Sequence, residues 1–159
     1  MRIETLGAHD LSAFSSGAED LDEWLHRRAE RAQQVGDAVV RVALTEAGRV
    51  VGFQALCSGS VERSLADGPL RRNAPDPVPV LVLARLAVDS NYQGRGVGAA
   101  LLADVVERSR TAAAVVGFRA LLIHCRDEAA LAFYSRLLPV RPLPGNPLRV
   151  YVAMSVVSV

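Results

Sequence analysis

The most constraining feature of this sequence is the stretch from Leu83 to Leu102, LARLAVDSNYQGRGVGAALL. An apolar run gives way within a few residues to three glycines, at 94, 96 and 98, and then to an Ala- and Leu-rich segment. This change predicts a buried strand, a tight turn and a helix. Amides at the start of a helix lack intrahelical partners, and the helix dipole favours negative charge there. The stretch therefore predicts a phosphate site between a strand and a helix.

The glycine turn departs from the two common nucleotide-binding motifs. A P-loop requires a lysine, and all 18 basic residues of this chain are arginine. A dinucleotide-binding fold places G-x-G-x-x-G in its first βαβ unit, whereas GRGVG at 94–98 lies late in the chain. The pattern that does fit is Q-x-x-G-x-G, formed by Gln93, Gly96 and Gly98.

The composition is that of one globular domain over residues 1–159. Half of the residues are hydrophobic, 22% are charged and the formal net charge is +1, which does not oppose a nucleic-acid partner because a local basic patch is sufficient. No apolar run approaches the roughly 20 residues that span a bilayer, and no signal peptide is visible. Cys57 and Cys125 stand singly, so we expect free thiols, no metal site and a cytoplasmic protein without a membrane partner.

The order of the predicted elements indicates a mixed α/β domain. The predicted elements are, in order, helix 19–34 capped by Ser15 or Ser16, strands 38–46 and 50–61, loop 63–79, strand 78–88, helix 97–115, strand 118–125, helix 127–138 and strand 147–157. A hairpin at 47–49 predicts antiparallel pairing in the first half of the sheet. Strands that alternate with helices predict parallel pairing in the second half.

At the glycine turn the sequence closely resembles the GNAT family of N-acetyltransferases. Their pattern there is R or Q, then x-x-G-x, then G or A, and it binds the pyrophosphate of acetyl-coenzyme A. The LAV that precedes the turn and the ALL that follows it match as well. The resemblance implies a GNAT fold, with a mixed central sheet that is antiparallel in its N-terminal half and parallel at the acetyl-CoA site, flanked by helices.

Further segments resemble one subgroup, the GNAT toxins of type II toxin–antitoxin modules. These segments are FSSGAEDLDEWL at 14–25, SGSVE at 58–62, PVPVLVLARLAV at 77–88, YQGRGVGAALL at 92–102 and EAALAFY at 128–134. The match covers roughly residues 11–138. It implies acetylation of the free α-amine of aminoacyl-tRNA, inhibition of translation, a ribbon-helix-helix antitoxin as partner, and homodimerisation.

The resemblance also implies the residues of the site. Tyr134 matches the tyrosine that protonates the departing thiolate, although an arbitrary tyrosine would more often pack in the core. The residues expected to contact the cofactor are Leu86, Ala87, Val88, Gln93, Gly94, Arg95, Gly96, Val97, Gly98 and Ala99. Arg95 is expected to meet a phosphate, the alternative being a solvated loop charge. The family also places a functional arginine at Arg85, which needs a partner if it is buried.

A tRNA substrate requires phosphate contacts, which arginine side chains supply. The candidates are Arg27, Arg28 and Arg31 on the first predicted helix, and Arg71 and Arg72 in the loop. The alternative interpretation of each group is a solvated charged surface.

One departure from the subgroup follows Tyr134. The subgroup continues to a Gly-Phe pair, whereas this chain reads SRLLPVRPLPGNP, with three prolines between 139 and 144. The wall of the acceptor site is therefore expected to differ. Two other functions stay open at this point. One is a GNAT enzyme that acetylates a small-molecule amine or a protein N-terminus, and the other is a non-catalytic module that binds acetyl-CoA or an antitoxin.

Overall fold

The computed structural model describes residues 1–157 of the chain. Within this part, the residues pack into two compact units. The first unit comprises residues 1–57 and 84–105, and the second comprises residues 58–83 and those from 106 onward. No helix in residues 1–157 is both long enough and apolar enough to cross a membrane.

Strands and helices alternate along most of the chain. The strands are β1 (Arg2–Thr5), β2 (Val39–Leu44), β3 (Val50–Val61), β4 (Val78–Val88), β5 (Ala120–His124), β6 (Arg141–Leu143) and β7 (Asn146–Ala153). The helices are α1 (Glu19–Arg27), α2 (Ala29–Gln34), α3 (Gly68–Arg71), α4 (Val97–Ala113), α5 (Glu128–Leu137) and α6 (Met154–Val157). Short 3₁₀ turns cover Arg63–Leu65 and Ser90–Tyr92.

The strands described in residues 1–157 form a sheet in the order β1-β2-β3-β4-β5-β7-β6. β4 and β5 are parallel, with Val80–Leu83 opposite Ala120–Ile123. β1 pairs with β2 and β2 with β3 in antiparallel fashion, and β7 is antiparallel to both β5 and β6. The predicted fold class, a mixed sheet with an antiparallel N-terminal half, is confirmed.

In the first unit, β2 and β3 carry apolar residues on both faces. One face packs Val42 and Phe53 against Leu25 and Ala29 of the N-terminal helices. On the other face, Val51 packs against α4. The register between β2 and β3 shifts beside Leu44, an irregularity typical of a β-bulge. Because side chains alternate along a strand, such a shift changes which residues share a face.

Helix α4 is fixed to β2 and β3 by a hydrogen-bonded ion pair in the first unit. Arg41 donates from Nε and Nη2 to the two carboxylate oxygens of Asp104, at 2.8 Å each. The amide of Gln54, which is fully buried, donates to the same carboxylate at 2.8 Å. A bidentate Arg–carboxylate pair fixes direction as well as distance. The helix that follows the glycine turn is therefore held in one orientation on these strands.

The predicted helix 19–34 is wrong in one respect, because it is interrupted at Arg28, where φ is −124°. On either side of this interruption, Leu25 and Ala29 are both buried in the core. The Gln33 side chain donates to the Leu6 carbonyl at 2.6 Å and accepts from the Val40 amide at 2.8 Å. The predicted serine cap is also wrong.

The N-cap of α1 is Ala18, which makes no side-chain cap hydrogen bond. The Asp22 carboxylate instead accepts from the Ser16 amide at 3.0 Å and from the Ser16 hydroxyl. The acidic first turn of α1 is therefore tied back to the residues that precede the helix.

The second unit is built around β5 and β7. Residues 120–123 are buried along β5, and Tyr151 is fully buried in the C-terminal half of β7. The predicted loop 63–79 contains two short helical turns and is tied to these strands. Arg119 donates to the carbonyls of Arg72 and Asn73 at 2.8 Å each, and the Tyr151 hydroxyl donates to the Asp67 carboxylate at 3.1 Å.

Two strands were missing from the sequence-based prediction, and the strand predicted over 147–157 was too long. β1 and β6 are short strands at the two ends of the strand order, and the proline-rich segment after Tyr134 forms β6 and the turn into β7. Pro142 lies within β6, consistent with the tolerance of edge strands for proline. β7 ends at Ala153 and α6 follows it, so the strand predicted over 147–157 is wrong at its C-terminal end.

Replacing Gly52 with alanine tests the close packing of β3 against α4. A Cβ at Gly52 would lie 2.8 Å from Cδ1 of Leu101, 3.0 Å from Cγ1 of Val97 and 3.3 Å from the Ala87 carbonyl oxygen. We expect Gly52→Ala to lower the free energy of unfolding by about 1–3 kcal/mol, because overpacking forces side chains and backbone to shift. Chemical denaturation measures this difference.

The matched control is Gly117→Ala, where an added Cβ meets nothing within 4 Å. We expect its free energy of unfolding to stay close to that of the original protein. Equal stabilities of the two variants would contradict the close seating of α4 on β3.

Candidate active site

The turn that joins β4 to α4 has the geometry of an anion site. Gly94 and Gly96 have φ angles of +74° and +84°, in the left-handed region that favours glycine. A Cβ at either position would meet nothing within 4 Å, so the backbone here is open to close approach. Helix α4 begins directly afterwards at Val97, and its first N–H groups and its dipole favour an anion at this turn. The structure therefore places the predicted residues 93–99 in one strand–turn–helix segment.

Gln93 holds the turn to its surroundings. Its amide nitrogen donates to the Val88 carbonyl at 3.0 Å, at the end of β4, and to the Ser16 carbonyl at 3.1 Å. These bonds fix the path of the chain between the strand and the two glycines. The side chain thus acts here on the protein backbone, and its predicted contact with a cofactor stays a prediction.

Asp89 forms the other fixed point of the turn. Its side chain is 2% exposed and accepts from the backbone amides of Ser15 at 3.2 Å and Asn91 at 3.0 Å, and from Nη2 of Arg49 at 3.4 Å. Burial alone would raise the pKa of this carboxyl. The hydrogen bonds from Asn91, Ser15 and Arg49 nevertheless hold the pKa below its ordinary value. Asp89 is therefore ionised at neutral pH.

Two arginines contact the ring of Tyr92, beside the turn. The guanidinium carbons of Arg95 and Arg49 lie 5.0 and 5.5 Å from the ring centroid, within the range of a cation–π contact. Arg95 is exposed in the structure, so its donors remain accessible to a phosphate. Tyr92 packs beside the α4 cluster and covers the start of that helix.

β4 extends beyond the end of its parallel neighbour. The registered pairs run as far as Leu83 and Ile123, and β5 ends one residue later at His124, whereas β4 continues to Val88. The predicted residues 86–88 lie in this extension, where Leu86 and Val88 pack towards α4. An extended ligand can pair with such a strand as an added strand does.

Tyr134 lies on α5 in the second unit. The Asp127 carboxylate caps this helix by accepting from the Ala130 amide at 2.8 Å. Tyr134 is 5% exposed, and burial raises its pKa above the ordinary value, with a smaller contribution from the neighbouring Cys125 thiol. Its hydroxyl therefore keeps its proton at neutral pH, which is the state that a proton donor requires.

Comparison with known proteins identifies the family. The profile of the acetyltransferase (GNAT) family matches residues 6–138, a span that includes the glycine turn and Tyr134. The chain belongs to the GNAT acetyltransferase family. This acetyltransferase is 45% identical over 147 residues to a tRNA-acetylating toxin of Mycobacterium tuberculosis, an alignment that covers 92% of this chain and 87% of that protein.

Two solved structures of AtaT also resemble this acetyltransferase. AtaT complexed with acetyl-methionyl-tRNAfMet has a TM-score of 0.88 and 27% identity, over 98% of this chain and 96% of that one. A tyrosine-to-phenylalanine variant of AtaT, bound to the C-terminus of the antitoxin AtaR and to acetyl-CoA, has a TM-score of 0.84 and 27% identity, over 98% and 94%. Family membership confirms the predicted acyltransferase, with acetyl-CoA as cosubstrate, and the likeness to these proteins confirms the predicted resemblance to the toxin subgroup.

The predicted arginines of this acetyltransferase divide between the two units. Arg27, Arg28 and Arg31 are exposed on and between the N-terminal helices of the first unit, and Arg71 and Arg72 are exposed in the second. Arg85, on β4, is partly buried in the first unit, and its guanidinium carbon lies 4.2 Å from the ring centroid of Trp24. The predicted need of Arg85 for a partner is met in part by this aromatic ring.

Sequence reasoning missed the contributions of Asp89, Arg49 and Trp24 to the site. An aspartate directly after a strand, followed by Ser-Asn, is a signal for a turn closed by its own side chain, and it could have identified Asp89. Arg49 and Trp24 offered no such signal. Arg49 reads as a hairpin residue and Trp24 as one more apolar position of an amphipathic helix.

Replacing Asp89 with asparagine tests the buried carboxylate beneath the turn. We expect Asp89→Asn to lower the free energy of unfolding at pH 7 by about 1–3 kcal/mol, because three donors lose a charged acceptor. The pKa of Asp89 is lower in the folded state than the ordinary value of about 3.9, so its contribution is present above that pH and is lost as the pH falls further. Chemical denaturation at pH 7 and near pH 3 should therefore show a difference from the original protein that shrinks on acidification.

The control is Asp10→Asn, at an exposed carboxylate whose pKa is lowered by hydrogen bonds from Ser12. Its effect at pH 7 should be smaller than that of Asp89→Asn. A difference for Asp89→Asn that is as large at pH 3 as at pH 7 would mean that the ionised carboxylate does not stabilise the turn.

Proposed function

We propose that this chain transfers the acetyl group of acetyl-CoA to the free α-amine of aminoacyl-tRNA, and so blocks translation as the toxin of a toxin–antitoxin module. The observation that carries this proposal is the 45% identity to a tRNA-acetylating toxin over 92% of the chain. Its fold likeness to AtaT in complex with an acetylated aminoacyl-tRNA supports the same substrate.

The residues of the turn fit the pyrophosphate of acetyl-CoA. Two left-handed glycines keep side chains away from the anion, and the backbone N–H groups of residues 94–99 act as donors at the start of α4. Residues 86–88 of β4 would pair with the pantetheine arm through their backbone groups. Bound acetyl-CoA supplies an activated thioester, so the protein mainly has to align an amine with it.

Tyr134 is the proposed general acid. Its buried hydroxyl holds a proton at Oη at neutral pH and can donate it to the departing thiolate.

Exposed arginines would bind the tRNA. Arg27 ends α1, Arg28 links α1 to α2 and Arg31 lies on α2, so they present several cations close together in sequence and space. Arg71 and Arg72 form a second exposed pair on and beside α3, and Arg119 holds the backbone at Arg72 in place. Exposed guanidinium groups of this kind contact phosphates and position a nucleic acid.

The remaining partners follow from the same proposal. AtaT binds the antitoxin AtaR, and we propose an antitoxin of the ribbon-helix-helix type for this chain. Homodimerisation and a cytoplasmic location belong to the same proposal. We also propose that residues 1–159 act as one acetyltransferase domain, since the family match at 6–138 includes residues of both compact units.

Incubation with labelled acetyl-CoA and total charged tRNA tests the reaction. We expect label on the α-amine of one or more aminoacyl-tRNAs and none on uncharged tRNA. Tyr134→Phe should lower kcat about 10²- to 10⁴-fold, the usual contribution of a general acid, while the affinity for acetyl-CoA stays unchanged.

The matched control is Tyr151→Phe, which removes the hydroxyl of another buried tyrosine in the second unit, where it donates to Asp67. This variant should lose some stability and keep its kcat. Label on a polyamine or a peptide but on no tRNA would overturn the proposed substrate. An undiminished kcat in Tyr134→Phe would overturn the role of that hydroxyl.

The salt dependence of binding to charged tRNA tests the arginine cluster. Replacing Arg27, Arg28 and Arg31 together with glutamine should weaken binding and flatten the plot of log affinity against log salt. Each lost phosphate contact should reduce the slope by about 0.7–0.9. Arg2→Gln, on β1, serves as the control for removing an exposed cation. A slope in the triple variant equal to that of Arg2→Gln would show that the cluster does not contact phosphates.

A further inference from the structure

Arg85 and Trp24 form a cation–π contact in the first unit. The guanidinium carbon lies 4.2 Å from the indole centroid, the shortest of the cation–π distances found in the described residues. Trp24 stacks in turn on Phe53, with a centroid distance of 6.1 Å and an interplanar angle of 13°. Phe53 is fully buried in the core of the first unit. A rigid column of two rings therefore connects the core to the guanidinium group.

The surroundings of Arg85 leave its donors available to a ligand. Burial lowers the pKa of Arg85, while the neighbouring Cys57 and Asp20 raise it and Arg28 lowers it further. Arginine stays protonated under these conditions, so Arg85 is a partly desolvated cation. The Asp20 carboxylate acts on Arg85 through its charge, and the guanidinium group lies over the ring of Trp24. Its planar fork of N–H donors matches two oxygens of a phosphate.

The position of Arg85 on β4 points to the acceptor side of the reaction. It directly precedes residues 86–88, which are expected to hold the thioester-bearing arm. Its side chain meets α1, the helix whose C-terminal end leads to the exposed Arg28. An anion at Arg85 would therefore lie between the reacting end of the site and the arginines proposed to bind tRNA.

We propose that Trp24 is a positioning residue for the acceptor. It holds the guanidinium group of Arg85 in one orientation, and Arg85 then binds the terminal phosphodiester at the aminoacylated end of the tRNA. A free arginine side chain has many rotamers and loses that freedom when it binds a ligand. The ring of Trp24 restricts those rotamers before the substrate arrives, so binding costs less entropy. This inference rests on the proposed aminoacyl-tRNA substrate.

Steady-state kinetics on two acceptors test the assignment. One acceptor is the charged tRNA that the original protein acetylates, and the other is adenosine carrying the same amino acid, which has no phosphodiester. For Trp24→Leu we expect the KM for charged tRNA to rise about fivefold to tenfold, with the KM for acetyl-CoA unchanged. On the aminoacyl-adenosine the KM should stay close to that of the original protein. Trp24→Phe keeps an aromatic face and should restore most of the affinity for charged tRNA.

A double-mutant cycle separates positioning from a general loss of packing. If Trp24 acts through Arg85, adding Trp24→Leu to Arg85→Gln should raise the KM for charged tRNA little further. Phe14→Leu is the matched packing control. Phe14 meets Phe53 edge-on in the same core cluster, at 5.7 Å, and it is not a partner in the Trp24–Arg85 contact. It should lower stability and leave both KM values unchanged.

Three results would overturn the assignment in a protein that acetylates charged tRNA. The first is that Trp24→Leu and Arg85→Gln have additive effects on the KM for charged tRNA. The second is that Trp24→Leu raises the KM for charged tRNA and for aminoacyl-adenosine equally. The third is that Phe14→Leu raises the KM for charged tRNA as much as Trp24→Leu does. If the unmodified protein acetylates no charged tRNA, the proposed function itself fails and the assignment fails with it. The kinetics of the unmodified protein therefore distinguish the two failures.

Discussion

The candidate site depends on how firmly α4 is held against β2 and β3. The Asp104 carboxylate accepts from Arg41 and Gln54, and Gly52 lets the helix approach β3 at contact distance. An ion pair at a partly buried position costs desolvation energy, which is offset only when its geometry is good and its remaining donors and acceptors are satisfied. Here that geometry fixes the axis of the helix. Since a helix dipole acts along its axis, the same ion pair also sets where the anion site lies.

Much of the architecture was predictable because it is local in sequence. The strand–turn–helix around the glycines, the hairpin at Gly48 and the Asp127 cap each depend on residues within a few positions of one another. β1 and β6 were missed for the opposite reason. Each has only three or four residues, and each is a strand because β2 or β7 pairs with it. The interruption at Arg28 likewise depends on contacts that are distant in sequence, those of Leu25 with the core and of Gln33 with the backbone of Leu6 and Val40. The apolar periodicity of the helix does not reveal such contacts.

The candidate site shows the same division. The glycines and Tyr134 follow from spacing and family resemblance, because their roles require one residue type at one position. The column of Phe53, Trp24 and Arg85 joins β3, α1 and β4, which are far apart in the chain. Gln93 likewise could be predicted as part of the turn, whereas its hydrogen bonds to Val88 and Ser16 could not. Contacts between elements that are distant in the chain depend on the packed structure, so a sequence pattern does not reveal them.

The depth at which Tyr134 is buried has a consequence for when the enzyme is active. A hydroxyl whose pKa lies above its ordinary value stays protonated throughout the physiological range. The Tyr134 hydroxyl therefore does not titrate near neutral pH. The acceptor amine, in contrast, must lose its proton before it can attack. The charge state that governs the rate would thus belong to the substrate. The internal pH of a cell would then change the rate of such an acetyltransferase without any change to the protein.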